Sequence, residues 1–310
     1  MLEQDRPVPQ QVGYFLQPFR DAFHRREQAE WAAVYLQGLL QPGGRKSIEN
    51  LARTLTLPDS QRVEDVAQAL QHFINQSPWD EQKIYRRYHR LLAERRASVG
   101  GVFVFDEFAF IKQGRHSVGV QRQYSTVLGR KANCQIAVAL HHLSPAGLWP
   151  LALRLYLPRH WLDDGERLDA AGVPPIAHKV ASKNSLALEL LDDAREAGIA
   201  ATHVTVGNAW GRSEELGELV RQRGLDWLAD IPASLTEIVC AARDELQNEL
   251  GLGHFEGRSW RGFHHHACLV VLAYALKGSV QNKAERAEHR IEETDGSASA
   301  FCVGEMTSRD

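Results

Sequence analysis

The strongest constraint on the fold is the order of apolar runs after residue 101. Residues 102–105 (VFVF) make a short apolar strand ending at Asp106, 134–140 (CQIAVAL) a second strand and 151–156 a third, with a polar extended stretch at 117–124. A long connection, 157–184, leads to a helix at 185–197, where Ala187, Leu190, Leu191, Ala194 and Ala197 share one face and Gly198 marks the stop. A strand at 202–206, a helix at 213–223, a strand at 226–231 and a helix over about 235–249 follow. Ser213 suits the N-cap of the 213–223 helix, with Glu214 and Glu215 in its first turn and Gly224 after its end. Three strands and then alternating helices and strands imply a mixed sheet flanked by helices.

Before this α/β region, residues 10–97 read as helical throughout. Phe15, Phe19 and Phe23 recur at helical spacing, as do Trp31, Tyr35 and Leu39 up to the break at Pro42, Gly43 and Gly44. A second helix is expected from Ser47 and a third from Asp65 to Ile74. A fourth follows Ser77, with Pro78 in its first turn. The chain therefore divides into an all-helical N-terminal domain at 1–97, hinged at 97–101, and an α/β domain at 98–276. A polar tail at 277–310 is expected to be disordered.

Composition narrows the setting. Apolar residues make up 44% and charged residues 24%, ordinary for a globular protein, and no apolar run reaches the ~20 residues of a membrane span. The N-terminus lacks the basic and apolar segments of a signal peptide. Cys134, Cys240, Cys268 and Cys302 form no CxxC pair, which suits a reducing cytoplasm and argues against structural zinc. The net charge of −3 hides basic stretches at 83–96 and 112–131 and acidic ones at 162–169 and 189–196. Basic stretches on a near-neutral chain fit a polyanionic partner.

The element order resembles that of the ribonuclease H-like fold, with strand order 3-2-1-4-5 by analogy. Its first and fourth strands are central neighbours, which sets Asp106 beside Gly207 and Asn208 across 100 residues of sequence. Phosphodiester cleavage in this fold relies on two divalent cations roughly 4 Å apart, held by converging carboxylates. Asp106 supplies one. The fourth strand ends without an acid, Asn208 offers only a neutral carbonyl, and the last helix offers Cys240, Ala241, Asp244 and Glu245 as candidate positions. Asp230 has no evident aim toward Asp106, and Glu107 points to the opposite face. His264, His265 and His266 are consecutive on a helix, about 100° apart, so they cannot all converge on one ion.

Several long blocks carry a family resemblance. GRHSVGVQRQYSTVLGRKANCQIAVAL (114–140), YLQGLLQPGGRKSIENLA (35–52), LQHFINQSPWD (70–80), LRLYLP (153–158) and ELGLGHFEGRSWRGFHHHA (249–267) resemble bacterial insertion-sequence transposases of the DDE superfamily, specifically the insertion sequence 701 family. The resemblance implies cut-and-paste DNA transposition by two Asp and one Glu with Mg2+ or Mn2+. It implies double-stranded DNA bearing terminal inverted repeats as partner, a homodimer on paired ends, and a cytoplasmic, nucleoid-associated location. Carried over by position, the first acid and metal ligand is Asp106, the second falls on Gly207 and the third on Cys240 or Ala241, so two of three acids are lost. The strand-rich insertion that relatives carry between the second and third acids is missing as well. Lys112, Arg115, His116, Arg122, Arg130 and Lys131, with Arg258 and Arg261 of the GRSWRG turn, are the expected DNA contacts. Trp260 and Phe263 read as core anchors. The expected function is therefore that of a transposase by descent, catalytically impaired as encoded. The alternatives are a non-catalytic DNA-binding protein, as a fossil or an inhibitor of transposition, and a repurposed interaction protein.

Overall fold

Two long paired strands form the middle of the sheet, and the others build outward from their edges. The structure is a computed structural model that describes residues 7–55, 57, 63–96, 100–207, 210, 213–229 and 233–294. Strand β1 (Val102–Ile111) pairs antiparallel with β3 (Arg130–Ser144) along its whole length, from Val102 opposite Leu143 to Ile111 opposite Cys134. On its other side β1 pairs in parallel with β5 (His203–Val206), but only from Val102 to Phe105. Strand β6 (Asp226–Leu228) extends the parallel half. Strand β3 is long enough to hold two partners, β2 (Gln121–Ser125) near its start and β4 (Gly147–Leu155) beyond, with a register shift between Leu140 and His141.

Asp106 is therefore not at a strand end, as the apolar run suggested. Phe108 and Phe110 continue the buried alternation, and β3 supplies backbone partners as far as Ile111. Asp106 is instead the first residue of β1 beyond its parallel partner.

Among the described residues, six helical segments precede the sheet: α1 (Val8–Phe15), a 3-10 turn (Gln17–Ala22), α2 (Arg26–Leu40), α3 (Ile48–Thr54), α4 (Val66–Asn75) and α5 (Glu81–Arg96). Pro78 lies before α5 rather than in its first turn, because the Asp80 side chain accepts the Lys83 N–H at 2.9 Å and sets the start at Glu81. Short helices α6 (Arg159–Leu162) and α7 (Gly165–Ala170) occupy the long connection. Then come α8 (Lys183–Glu196), α9 (Glu214–Arg221) and α10 (Ala233–Asp244), the last running into a π-helical turn at Glu245–Glu249. Ser182 and Ser213 cap α8 and α9 by accepting backbone N–H bonds, and Gly198 and Gly224 follow those helices with φ of +92° and +73°.

The final helix, α11, runs from Trp260 to Thr294. Its apolar half, Ala267 to Leu276, packs in one core with α2, α4, α5 and β4. The helix continues through part of the segment whose polarity suggested disorder. Residues 281–294 are rich in Ala, Glu, Arg, Gln and Lys, whose helix propensity sustains a helix started elsewhere. Residues 295–310, Asn208, Asp230, Cys302 and most of the expected hinge, 97–99, lie outside the described residues.

The helices before β1 and the sheet share a single hydrophobic cluster, with Phe73 stacked on Trp79 and Trp79 on the His265 ring of α11. Truncating Phe73 to Ala is expected to cost about 3–5 kcal/mol. Urea unfolding should register that loss in one cooperative transition, seen alike by tryptophan fluorescence and far-UV dichroism.

Candidate functional site

Asp106 sits at the centre of the sheet with its side chain fully buried. Backbone pairing brings Gly207 alongside it, the Gly207 N–H donating to Phe105 O at 2.7 Å. A Cβ on Gly207 would lie 2.7 Å from Asp106 Oδ1 and 3.3 Å from Arg243 Nη2. That separation is shorter than a carbon–oxygen contact allows, so the glycine permits a close approach of backbone to carboxylate.

The cation facing Asp106 is Arg243, near the end of α10. Its Nε donates to Asp106 Oδ2 at 3.0 Å and its Nη2 donates to Oδ1, making a two-point clamp. The Glu107 N–H adds a bond to Oδ1 at 2.9 Å, and His141 Nε2 approaches Oδ2 at 3.6 Å. Burial alone would raise the Asp106 carboxyl, but His141 and the hydrogen-bonded, charged guanidinium outweigh it and hold the group below the usual carboxylate range. Burial likewise opposes the charge on Arg243, and its bond to Asp106 raises it nonetheless.

Other acids near this position are engaged elsewhere. Glu107 points to the opposite face of the sheet, where Lys183 of α8 pairs with it and Ser125 and Thr126 donate at 3.2 and 3.3 Å. On α10, Cys240 and Ala241 are exposed, and Asp244 accepts from Asn248 at 2.5 Å. Glu245, just beyond, pairs with Lys277 at 2.6 Å. Among the described residues, no group of three or more His, Cys, Asp or Glu could hold a metal ion.

Arg243 was not found by reading the sequence. The available signal was slight: Val239, Ala242 and Leu246 form the buried line of α10 and its π-helical turn, and Arg243 lies next to that line. Only the fold shows that the line faces a buried carboxylate.

The three consecutive histidines diverge, and each joins separate parts of the chain. Nδ1–H of His264 donates to Trp260 O at 2.9 Å, while its Nε2 accepts from Leu155 N at 3.4 Å. His265 faces Ile74 O and Trp79 O at 2.9 and 3.1 Å, and a neutral ring donates to one of them. Tyr35 Oη donates to His266 Nδ1 at 2.9 Å, and His266 Nε2–H donates to Gly251 O at 3.0 Å. Burial lowers these three to about 4, about 3 and about 4.

Of the basic residues expected to meet DNA, Arg115, His116, Arg122, Arg130, Lys131, Arg258 and Arg261 are exposed. Lys112 is half-buried, its ammonium donating to Phe255 O at 2.6 Å, and burial lowers its pKa. Tyr124 is 54% exposed on β2 and lies directly opposite Lys131. The Val118 N–H donates to Arg258 O at 3.0 Å, bringing the 112–120 loop against the turn before α11. Trp260 is half-buried and Phe263 fully so, in keeping with anchoring roles.

The sequence model of a family described as DDE superfamily endonuclease matches residues 18–293. A stretch of 114 residues is 30% identical to a protein named "Probable transposase for insertion sequence element IS701" from Microchaete diplosiphon, covering 36% of this chain and 30% of that relative. The chain thus spans under a third of the relative it matches. No helix among the described residues is long and apolar enough to cross a membrane.

The histidine trio sets a dependence on pH. Each folded-state value lies below the ordinary 6.5, so the unfolded chain binds the extra protons. The stability these rings contribute is complete above about pH 6.5 and is lost as pH falls toward 4, by up to about 1.4 kcal/mol per pH unit for each ring. Urea midpoints at pH 7, 6 and 5 should fall steeply, and His264→Gln should flatten the slope by about one proton.

Proposed function

Because this chain belongs to the DDE superfamily endonucleases, we propose that it engages duplex DNA as a transposase-family protein and does not cut it as encoded. The observation that carries the second half is Gly207. The position beside Asp106 where the family's second acid is expected contributes no carboxylate, and the Asp106 carboxylate and Arg243 guanidinium fill the space where a side chain would begin.

The sheet supports this assignment of positions. Counting β1, β3, β4, β5 and β6 as the five strands of a ribonuclease H-like sheet, the pairing path β4, β3, β1, β5, β6 corresponds to the order 3-2-1-4-5. In that frame Asp106 is the first acid and Gly207 takes the place of the second.

Family chemistry would use Mg2+ or Mn2+ to activate water and stabilise the leaving oxygen. The residues present do not fit a two-metal centre. Both Asp106 oxygens already accept bonds from Arg243, Gly207 offers no side-chain oxygen, and Asp244 and Glu245 are committed to Asn248 and Lys277. The surface, by contrast, retains what phosphate contact requires. The β2–β3 hairpin presents Arg122, Tyr124 and Lys131 on one face with Arg130 exposed at its turn, and Arg115 and His116 lie exposed on the adjoining loop. Cations on this face neutralise phosphates, and the counterions they release make such binding dependent on salt.

Binding to duplex DNA should therefore weaken steeply between low and physiological salt in a fluorescence-anisotropy titration. The double change Arg130→Ala and Lys131→Ala should lower the slope of log K against log salt by about 2 if both residues meet phosphates. A flat salt response would favour an interaction protein with no nucleic-acid partner. Incubated with terminal-repeat duplex and Mg2+ or Mn2+, the chain should release no nicked product on a denaturing gel.

A further inference from the structure

The disagreement between the family's metal chemistry and this site has a specific structural cause. Asp106 is a buried carboxylate on a central strand, and such a charge needs a compensating cation wherever it occurs. In a metal centre the ion supplies it. Here a guanidinium donates to both carboxylate oxygens, and it comes from α10, the helix that also carries the third-acid positions Cys240 and Ala241.

We propose that Arg243 is the resident cation of this site, occupying the place a divalent metal would take, and that Gly207 and Arg243 form one coupled lock that keeps metal out. This rests on assigning Gly207 to the second-acid position. Three observations converge on it. The clamp uses both oxygens of Asp106, leaving no side-chain oxygen without a partner for an incoming ion. A Cβ at position 207 would lie 2.7 Å from Asp106 Oδ1 and 3.3 Å from Arg243 Nη2, so a side chain there displaces the carboxylate from the orientation in which the guanidinium clamps it. The Asp106 side chain has no exposure, and Val104, Val239 and Ala242, all within two residues of Asp106 or within four of Arg243, are buried in one apolar cluster.

The coupling orders the possible reversions. Restoring Asp at position 207 alone places a second carboxylate against the first while the guanidinium still occupies the space between β1 and α10. Removing Arg243 alone leaves one carboxylate, which is too few oxygen ligands for a tight divalent site. Only the two changes together open a place with two converging carboxylates. A simple loss of metal ligands, with no replacement cation, would instead let Gly207→Asp recover binding by itself.

The test uses the full chain and Mn2+ alone, followed by the loss of its free six-line electron paramagnetic resonance signal on binding. The wild-type chain is expected to leave the signal unchanged at equimolar Mn2+. Gly207→Asp is expected to do the same, whereas Gly207→Asp combined with Arg243→Ala takes Mn2+ up. Uptake by the wild-type chain that is abolished in Asp106→Asn would overturn the proposal, as would uptake by Gly207→Asp equal to that of the double variant. The wild-type measurement decides even if a variant fails to fold. In addition, Arg243→Ala should show a lowered thermal midpoint that millimolar ethylguanidinium raises and equal Mg2+ does not; the reverse pattern would also overturn it. DNA affinity is read separately, so loss of salt-dependent binding would count against the proposed function and leave the lock standing.

Discussion

Two neighbouring carboxylates on the buried central strand impose the constraint on which the surrounding architecture depends. Asp106 and Glu107 alternate to opposite faces of β1, and neither face meets water. Each charge therefore needs its own cation from the layer that covers it. Arg243 of α10 meets Asp106 on one side and Lys183 of α8 meets Glu107 on the other. The two ion pairs tie α10 and α8, on opposite faces, to the same point of the sheet, in addition to the apolar clusters that hold Val104 with Val239 and Phe103 with the buried leucines of α8. Breaking either pair by removing one partner would leave an uncompensated buried charge, at a cost of about 3–5 kcal/mol.

Seen this way, Gly207 changes meaning. Beside a metal-binding acid it would be a lost ligand and nothing more. Beside a carboxylate clamped by a guanidinium it is a packing requirement, because a Cβ would intrude on the pair. In the proposed lock, the absent acid at 207 and the contact made by Arg243 are parts of one rearrangement. The histidines at the start of α11 show the same economy of buried polar groups. Each ring nitrogen that matters meets a backbone group or Tyr35, so three polar side chains in the core connect α2, α4, β4 and the turn at Gly251.

Much of this was legible in the linear sequence where the determining interactions are local. The cap at Ser213, the stops at Gly198 and Gly224, and the apolar run of α11 follow from backbone sterics and side-chain periodicity within a few residues, whereas the cap at Ser182 lies inside the stretch that reads as a connection. The resemblance of the element order to the ribonuclease H-like fold also sets the first and fourth apolar strands together, and with them Asp106 and Gly207, as the pairing of β1 with β5 bears out. Where the reading missed, a partner distant in sequence decided the outcome. Strand β1 continues past Asp106 because β3 pairs with it as far as Ile111. Helix α5 is the local exception: Asp80, two residues past Pro78, caps it and sets its start at Glu81.

The sequence by itself determined the element order, the family blocks, and the absence of acids at 207, 240 and 241, all of which are properties of residue type and spacing. Only the tertiary structure decided what took their place. Arg243 lies 137 positions from Asp106, and its identity as the facing cation depends on how α10 lies across the sheet and on the rotation that turns Cys240 outward. Charge compensation in a buried site acts through space, over a few ångströms, and no periodicity along the chain records which distant side chain will supply it.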